Sequence, residues 1–419
     1  MTKTKMITKA TRFQIIKPLD TGWDELGQVL RDLSYHTTKL CNMAVQLYWQ
    51  HHNYRLAHKE ETGKYPAAAE DKERYGCSFR NHVYRKMREM YPDMASSNTS
   101  QTNQFAMSRW QNDVREIMRL QKSIPSFRLG TPAQVANANY TLSVEEQDNG
   151  RSSFIATITL LSLAAGKQTR YSILLDGGDR SKKAIFRRIM EGEYKQGAMQ
   201  ITYNKRKKKW FCIVSFSFIP EKQNRELDPD RAMGLMFGTG NYTVFAAYSV
   251  GQKRYTLPAG EVIATEKKIH AIAERRKEIQ RHAGYRGHGI KRKLQGTEVL
   301  AGQASAIRDT LNHKYSRRVV DVAMANRCGT IKILDKLVTP GASVSELVNY
   351  PWAGVVEKIK YKAEEKGIAV KVVSLDGTRC HKCDAEIEID SDNESPLTCP
   401  SCGAKIDKDY NTAKRIAKS

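Results

Sequence analysis

Residues 231–257 read RAMGLMFGTGNYTVFAAYSVGQKRYTL, and this stretch decides the fold of the second half of the chain. Apolar and β-branched residues fill 231–237, 241–249 and 253–257, and turn residues separate them at Thr239-Gly240-Asn241 and Gly251-Gln252. Short runs of this composition bounded by Gly and Asn read as three consecutive strands. No Asp or Glu lies between Arg231 and Gly260. These strands therefore carry no carboxylate with which to bind a hard metal ion.

Downstream the pattern lengthens to helical periodicity. A charged helix is expected over 261–282, then a Gly- and Arg-rich stretch from Gly284 to Gly289 that ends in Lys291-Arg292-Lys293. Helices over 304–326, 345–366 and 408–418 alternate with strands over 330–334 and 370–374. Three antiparallel strands followed by alternating helices and strands is the order of a ribonuclease H-like α/β domain. Upstream, β-branched segments at 140–144, 153–161, 169–175, 199–203 and 210–219 predict a β-rich module with a helix near 182–191. Apolar residues at helical spacing from Trp23 to about Gln50, and again from Phe105 to Leu120, make 20–122 a helical module entered through a strand at 11–18. The fold class is thus multi-domain α+β.

The chain has 419 residues with 69 Lys plus Arg against 45 Asp plus Glu, a formal charge of +24. Such a surplus calls for a polyanionic partner, and nucleic acid fits better than a membrane surface. No run of 18 apolar residues occurs and the N-terminus lacks an apolar leader, so a cytoplasmic protein without a membrane partner is expected. The hairpin tip at 204–209 is basic, and Lys205, Lys207 and Lys208 are candidate phosphate contacts. Arg275, Arg276, Arg286, Lys291, Arg292 and Lys293 are further candidates, on the long charged helix and the loop after it.

Four cysteines, Cys41, Cys77, Cys212 and Cys328, are isolated, and four cluster as Cys380-x2-Cys383 and Cys399-x2-Cys402. Two such pairs fifteen residues apart match a four-thiolate zinc site, closed to substrate and therefore structural.

The ordered combination of these features resembles the miniature type V-F CRISPR effectors and, more distantly, the TnpB-like transposon-encoded RNA-guided nucleases. The resemblance runs from Ile16-Lys17-Pro18-Leu19 through the segment 307–316 (IRDTLNHKYS) and Gly329-Thr330-Ile331 to the cysteines and Asp409-Tyr410-Asn411-Thr412-Ala413. It implies a first wedge strand at 1–19, a helical recognition module at 20–125 and a β-rich wedge module at 126–225. A RuvC-like domain would follow at 226–378, with a zinc-knuckle insertion at 379–404 and a closing RuvC-like helix at 405–419. It also adds Arg308, Asn312 and His313 to the expected nucleic-acid contacts.

In that family the nuclease centre holds two magnesium ions with three acids. The positions of the resemblance fall on Met236, Leu334 and Asp409, so only the third acid remains. A thioether is a soft, weak ligand and leucine has no donor atom. Asp335 lies one residue beyond Leu334, on the opposite side of a strand's alternation. Magnesium is therefore not expected at this centre. The resemblance implies a guide RNA, target double-stranded DNA beside a short flanking motif, and a homodimer on one guide. For a catalytically silent relative it also implies a role in transcription, with a sigma factor or RNA polymerase as partner. A monomeric nuclease-dead repressor, a still-active endonuclease with unconventional ligands, and a zinc-ribbon transcription factor without RNA remain the alternatives.

Overall fold

The computed structural model describes residues 6–146, 152–205, 207–219, 226–239, 242–284, 289–335, 347, 350–375, 378–387 and 397–419. The chain divides into two compact units, Met1–Ile219 and Pro220–Ser419.

The first unit opens with β1 (Ile7–Pro18) and a 40-residue helix α1 (Trp23–Thr62). Leu26, Val29, Leu30, Leu33, Leu40, Cys41, Ala44, Val45 and Tyr48 of α1 are buried, a stripe at three- and four-residue spacing that packs one face into the core. The helix runs twelve residues beyond the expected end near Gln50. Its last turns are held by polar ties: His51 Nε2 lies 3.0 Å from Asp71 and His58 Nε2 3.1 Å from Glu70. It stops at Gly63, whose φ of 76° is the left-handed cap that glycine tolerates. Both acids lie on α2 (Ala68–Tyr75), and α3 (Phe79–Met90) and α4 (Ser96–Met118) complete the helices. Then come β2 (Ala133–Val135), β3 (Tyr140–Glu146), β4 (Ser152–Leu161), β5 (Gln168–Leu175), helix α5 (Arg180–Met190), β6 (Lys195–Asn204) and β7 (Lys209–Phe218). The strands form one antiparallel sheet in the order β2-β6-β7-β1-β5-β4-β3. The first strand of the chain thus sits in the middle of a sheet whose other strands follow more than a hundred residues later.

The second unit contains β8 (Asp228–Thr239), β9 (Tyr242–Tyr248), β10 (Arg254–Pro258), α6 (Gly260–Ala283), α7 (Ile290–Ala325) and β11 (Cys328–Leu334). After these come α8 (Ala353–Glu365), β12 (Ala369–Val373), the short pair β13 (Leu397–Thr398) and β14 (Lys405–Ile406), and α9 (Lys408–Lys418). The five-stranded sheet has the order β10-β9-β8-β11-β12. β8, β9 and β10 pair antiparallel, as the sequence predicts, and β8, β11 and β12 pair parallel. Helix α7 starts fourteen residues before the expected Ala304; α8 starts at Ala353, and the start expected at Ser345 lies outside the described residues.

Every residue of β8 from Ala232 to Thr239 is buried, because both faces of its sheet are covered. Met233, Leu235 and Phe237 pack with Val244, Ile331, Ile333 and residues of α7 and α8. The alternate residue Met236 packs with Phe245, Ala247 and with Ala413 and Ile416 of α9. Two-residue alternation thus turns the even-numbered side of β8 toward α9.

Candidate functional site

Met236 and Leu334, two of the three positions that the family resemblance assigns to a metal centre, lie under α9. Gly234 precedes Met236 by two residues on the same face, and a Cβ at Gly234 would collide with the carbonyl of Ala413 and the amide of Ala417. Only glycine allows the helix backbone to lie this close to the strand. From the same turn of α9, the buried Lys414 ammonium donates to the carbonyls of Tyr248 and Gly251. These contacts seat α9 across β8 and β9, with its N-terminal turn toward the C-terminal end of β8.

At that end Ile333 registers with Leu235 across the parallel pair β8–β11, so Leu334 comes level with Met236. Met236, 3% exposed, and Leu334 belong to one apolar cluster with Phe245, Tyr242, Val373 and Tyr410. Asp335 is exposed beyond the last paired residue of β11, its amide donating 2.9 Å to the Val373 carbonyl. The two positions at which the family resemblance places acids are therefore neighbours, and the surface they share is hydrocarbon and thioether.

Asp409 lies in the first turn of α9, whose N-cap Asp407 accepts from the Tyr410 amide at 2.8 Å. Burial raises the Asp409 pKa above the ordinary carboxyl value and the nearby Asp407 charge raises it further, against smaller lowering effects of Thr239 and Lys408. Thr239 faces the carboxyl, yet its buried hydroxyl oxygen makes no hydrogen bond of good geometry. Asp409 is thus a single carboxyl beside two apolar side chains, whereas magnesium is held by several oxygen ligands.

The four paired cysteines converge. Their sulfurs lie within 4.8 Å of one another, and they form the only group of three or more His, Cys, Asp or Glu able to share an ion among the described residues. Cys380 Sγ lies 3.8 Å from Cys402 Sγ and Cys383 Sγ 3.4 Å from Cys399 Sγ, far beyond a disulfide bond of about 2.05 Å. Four sulfurs at about 2.3 Å from a tetrahedral ion would sit about 3.8 Å apart, so the spacing fits a metal. Each pair sits on a turn: the Asp384 amide donates to the Cys380 carbonyl and the Gly403 amide to the Cys399 carbonyl, both at 2.9 Å. The Cys402 amide, followed by burial in the opposite sense and the Ser401 amide, sets the Cys399 thiol, which is pulled down to about 6. Cys402, facing the other sulfurs, is pushed up to about 11.

The nucleic-acid candidates fall on several distinct parts of the structure. Lys205, Lys207 and Lys208 are exposed on the turn between β6 and β7, with Lys208 at φ 51° and the Lys207 amide donating 2.9 Å to Asn204 Oδ1. Arg275, Arg292 and Lys293 are exposed on α6 and the first turn of α7; Arg286 and the Lys291 side chain lie outside the described residues. Arg276, Arg308 and Asn312 line a cleft of about 390 Å³ between α6 and α7. Arg308 makes a two-pronged ion pair with Glu266, at 3.0 and 2.7 Å. Asn312 is 7% exposed and accepts from the Tyr350 hydroxyl. Both side chains thus engage partners within the second unit. His313 remains half-exposed beside Asp309 and Tyr361.

A relative from Sulfoacidibacillus thermotolerans, a CRISPR-associated endodeoxyribonuclease Cas12f1, is 33% identical over 98% of this chain and 96% of its own length. The chain belongs to the Cas12f1 family. A second Cas12f1, from Syntrophomonas palmitatica, is 31% identical over 77% of this chain and 67% of its own. The Cas12f1-like TNB domain model matches residues 352–416. That span runs from the start of α8 through β12 and the cysteine turns to most of α9. The fold is also that of a Cas12f1 solved with single-guide RNA and target DNA: TM-score 0.77 over 98% of this chain and 99% of that one, at 16% identity. Within this family of named nucleases, the present chain has Met236 and Leu334 side by side under α9.

Residue-level reading of the sequence missed three participants. Gly234 stands two residues before Met236, and that spacing on a strand is the signal that it shares the face. Glu266 and Asn411 pair with residues 42 and 30 positions away, and nothing local announces them.

Proposed function

We propose that this chain is the protein half of an RNA-guided complex that opens and holds a matched DNA duplex without cutting it, in the service of transcriptional regulation. The observation that carries the proposal is the apolar pair Met236–Leu334, which fills the position where two bracketing magnesium ions would need carboxylates. Asp409 alone cannot replace the pair, and burial raises its pKa above the ordinary carboxyl value.

On this reading the second unit is a RuvC-type domain whose sheet and helices persist while its metal centre is closed by hydrocarbon. The four cysteines hold one structural zinc per chain and magnesium has no site. Family membership and the charge of +24 support guide RNA and target DNA as partners. Base pairing would read the sequence while the protein grips the backbone and inspects a short flanking motif. Two copies on one guide would enclose a heteroduplex of about 20 base pairs better than one, and a sigma factor or RNA polymerase is the partner class such a silent complex would serve.

The test is direct. Protein purified with its co-purifying RNA is mixed with a matched duplex in millimolar magnesium or manganese. Retarded, intact DNA is the expected result. Guide- and metal-dependent cleavage that disappears in Asp409→Ala would overturn it. Mass measurement of the complex counts protein copies, and metal analysis counts zinc.

A further inference from the structure

Asn411 is 1% exposed, and its carboxamide is spent on the cysteine cluster. Its Oδ1 accepts from the His381 amide at 2.9 Å and lies 3.0 Å from His381 Nδ1, while its Nδ2 donates to the Arg379 carbonyl at 2.8 Å. Arg379 and His381 flank Cys380, the first of the four cysteines. The side chain therefore grips the backbone on both sides of one sulfur donor.

Other contacts from the same helix support this grip. Lys418 Nζ donates 2.7 Å to the His381 carbonyl, and the Tyr410 ring packs edge-on against the His381 ring at 5.5 Å. Tyr410 also packs against both the cluster around Met236 and the cluster around Cys380 and Cys399. An eleven-residue helix has little stability of its own in water. The placement of α9 is set by what it touches: the sheet on one side through Gly234, the cysteine turn on the other through Asn411.

We infer that Asn411 is a positioning residue through which metal loading of the four cysteines docks the N-terminal turn of α9, the turn that carries Asp409 and closes over Met236 and Leu334. The inference rests on the reading of the cysteines as a metal site. Without an ion, four thiols give the Cys380 turn no common centre, and the backbone groups that Asn411 grips lose their fixed spacing. With the ion, the turn is rigid and Asn411 transmits that rigidity two residues back to Asp409.

The experiment is hydrogen exchange read by mass spectrometry on the full chain, stripped by chelator and then reloaded with Zn²⁺ alone. Reloading should slow exchange at least tenfold in 378–387 and also in 408–413, leaving 233–237 unchanged. In Asn411→Ala, zinc should still bind one per chain and still protect 378–387, but 408–413 should exchange fast with or without it. Asn411→Asp, whose second oxygen would face the Arg379 carbonyl, should behave the same way and serves if the alanine variant loses protection in 233–237. If zinc protects 378–387 in the wild type but leaves 408–413 unmoved, the coupling is wrong while the metal reading stands. If zinc neither binds nor protects 378–387, the metal reading fails and the coupling falls with it. Zinc-dependent protection of 408–413 that survives in both Asn411 variants would show that α9 is docked by other contacts.

Discussion

The backbone of α9 at Ala413 occupies the space where a side chain on Gly234 would stand. Gly234→Ala should therefore lift α9 or displace β8, an overpacking cost on the order of 3 kcal/mol. For a unit of this size that lowers Tm by about 6–12 °C. Gly260→Ala is the matched control, since a Cβ there meets nothing within 4 Å and alanine is the better helix former. Equal melting temperatures for the two variants would mean that α9 is not seated on Gly234.

Restoring the missing acids tests the closed centre from the other side. Met236→Asp alone buries a carboxyl in an apolar cluster and should destabilise the fold by about 2–4 kcal/mol. Met236→Asp with Leu334→Glu rebuilds a three-acid set with Asp409, and millimolar Mg²⁺ should then raise Tm because it binds the folded state only. The wild type should show no such rise. Recovery of guided cleavage requires both changes, so activity from either single variant would argue against a centre that needs all three carboxylates.

The strands 231–257 were legible because turn residues punctuate apolar runs, and the cysteine pairs because few other sites use that spacing. Helix α2 was not, because none of its residues is buried and an exposed helix leaves no apolar period to read. The last turns of α1 were missed for the same reason: their ties to Asp71 and Glu70 are polar and depend on chain reversal at Gly63. At the candidate site, Met236 and Leu334 were named from the sequence, but their adjacency is a product of parallel pairing between strands about a hundred residues apart. Arg308 and Asn312 were named in the sequence, but residue type alone does not show that Glu266 and Tyr350 lie opposite them.

Asp409 gives the centre a pH signature. Its folded pKa is raised above the ordinary 3.8, so the folded state holds this proton more tightly than the unfolded chain does. Its contribution is fully present below the unfolded value and is lost as pH rises through the folded one. Asp409→Asn removes the charge while keeping the shape. It should raise Tm at pH 7, and the gain should shrink toward zero as pH approaches 3.8. A gain that is constant with pH, or a loss at neutral pH, would show that the carboxylate is stabilised where it lies.

The division of the basic residues into exposed and internally paired groups predicts two different phenotypes. Arg275, Arg292 and Lys293 are exposed, and every phosphate that one of them neutralises adds about 0.9 to the slope of log affinity against log salt. Changing all three to Ala should therefore weaken binding across target sequences and flatten the slope by up to about 2.7, with Tm nearly unchanged. Arg308→Ala and Asn312→Ala should do the reverse. Arg308 is engaged by Glu266 and Asn312 by Tyr350, and removing either partner leaves a part-buried polar group unsatisfied at a cost of about 1–3 kcal/mol. Thermal melts with salt titrations of guide-dependent binding separate the cases. An Arg308→Ala variant that melts like wild type, yet whose salt slope is shallower by about 0.9, would place Arg308 on the nucleic acid and show that its pairing with Glu266 opens on binding.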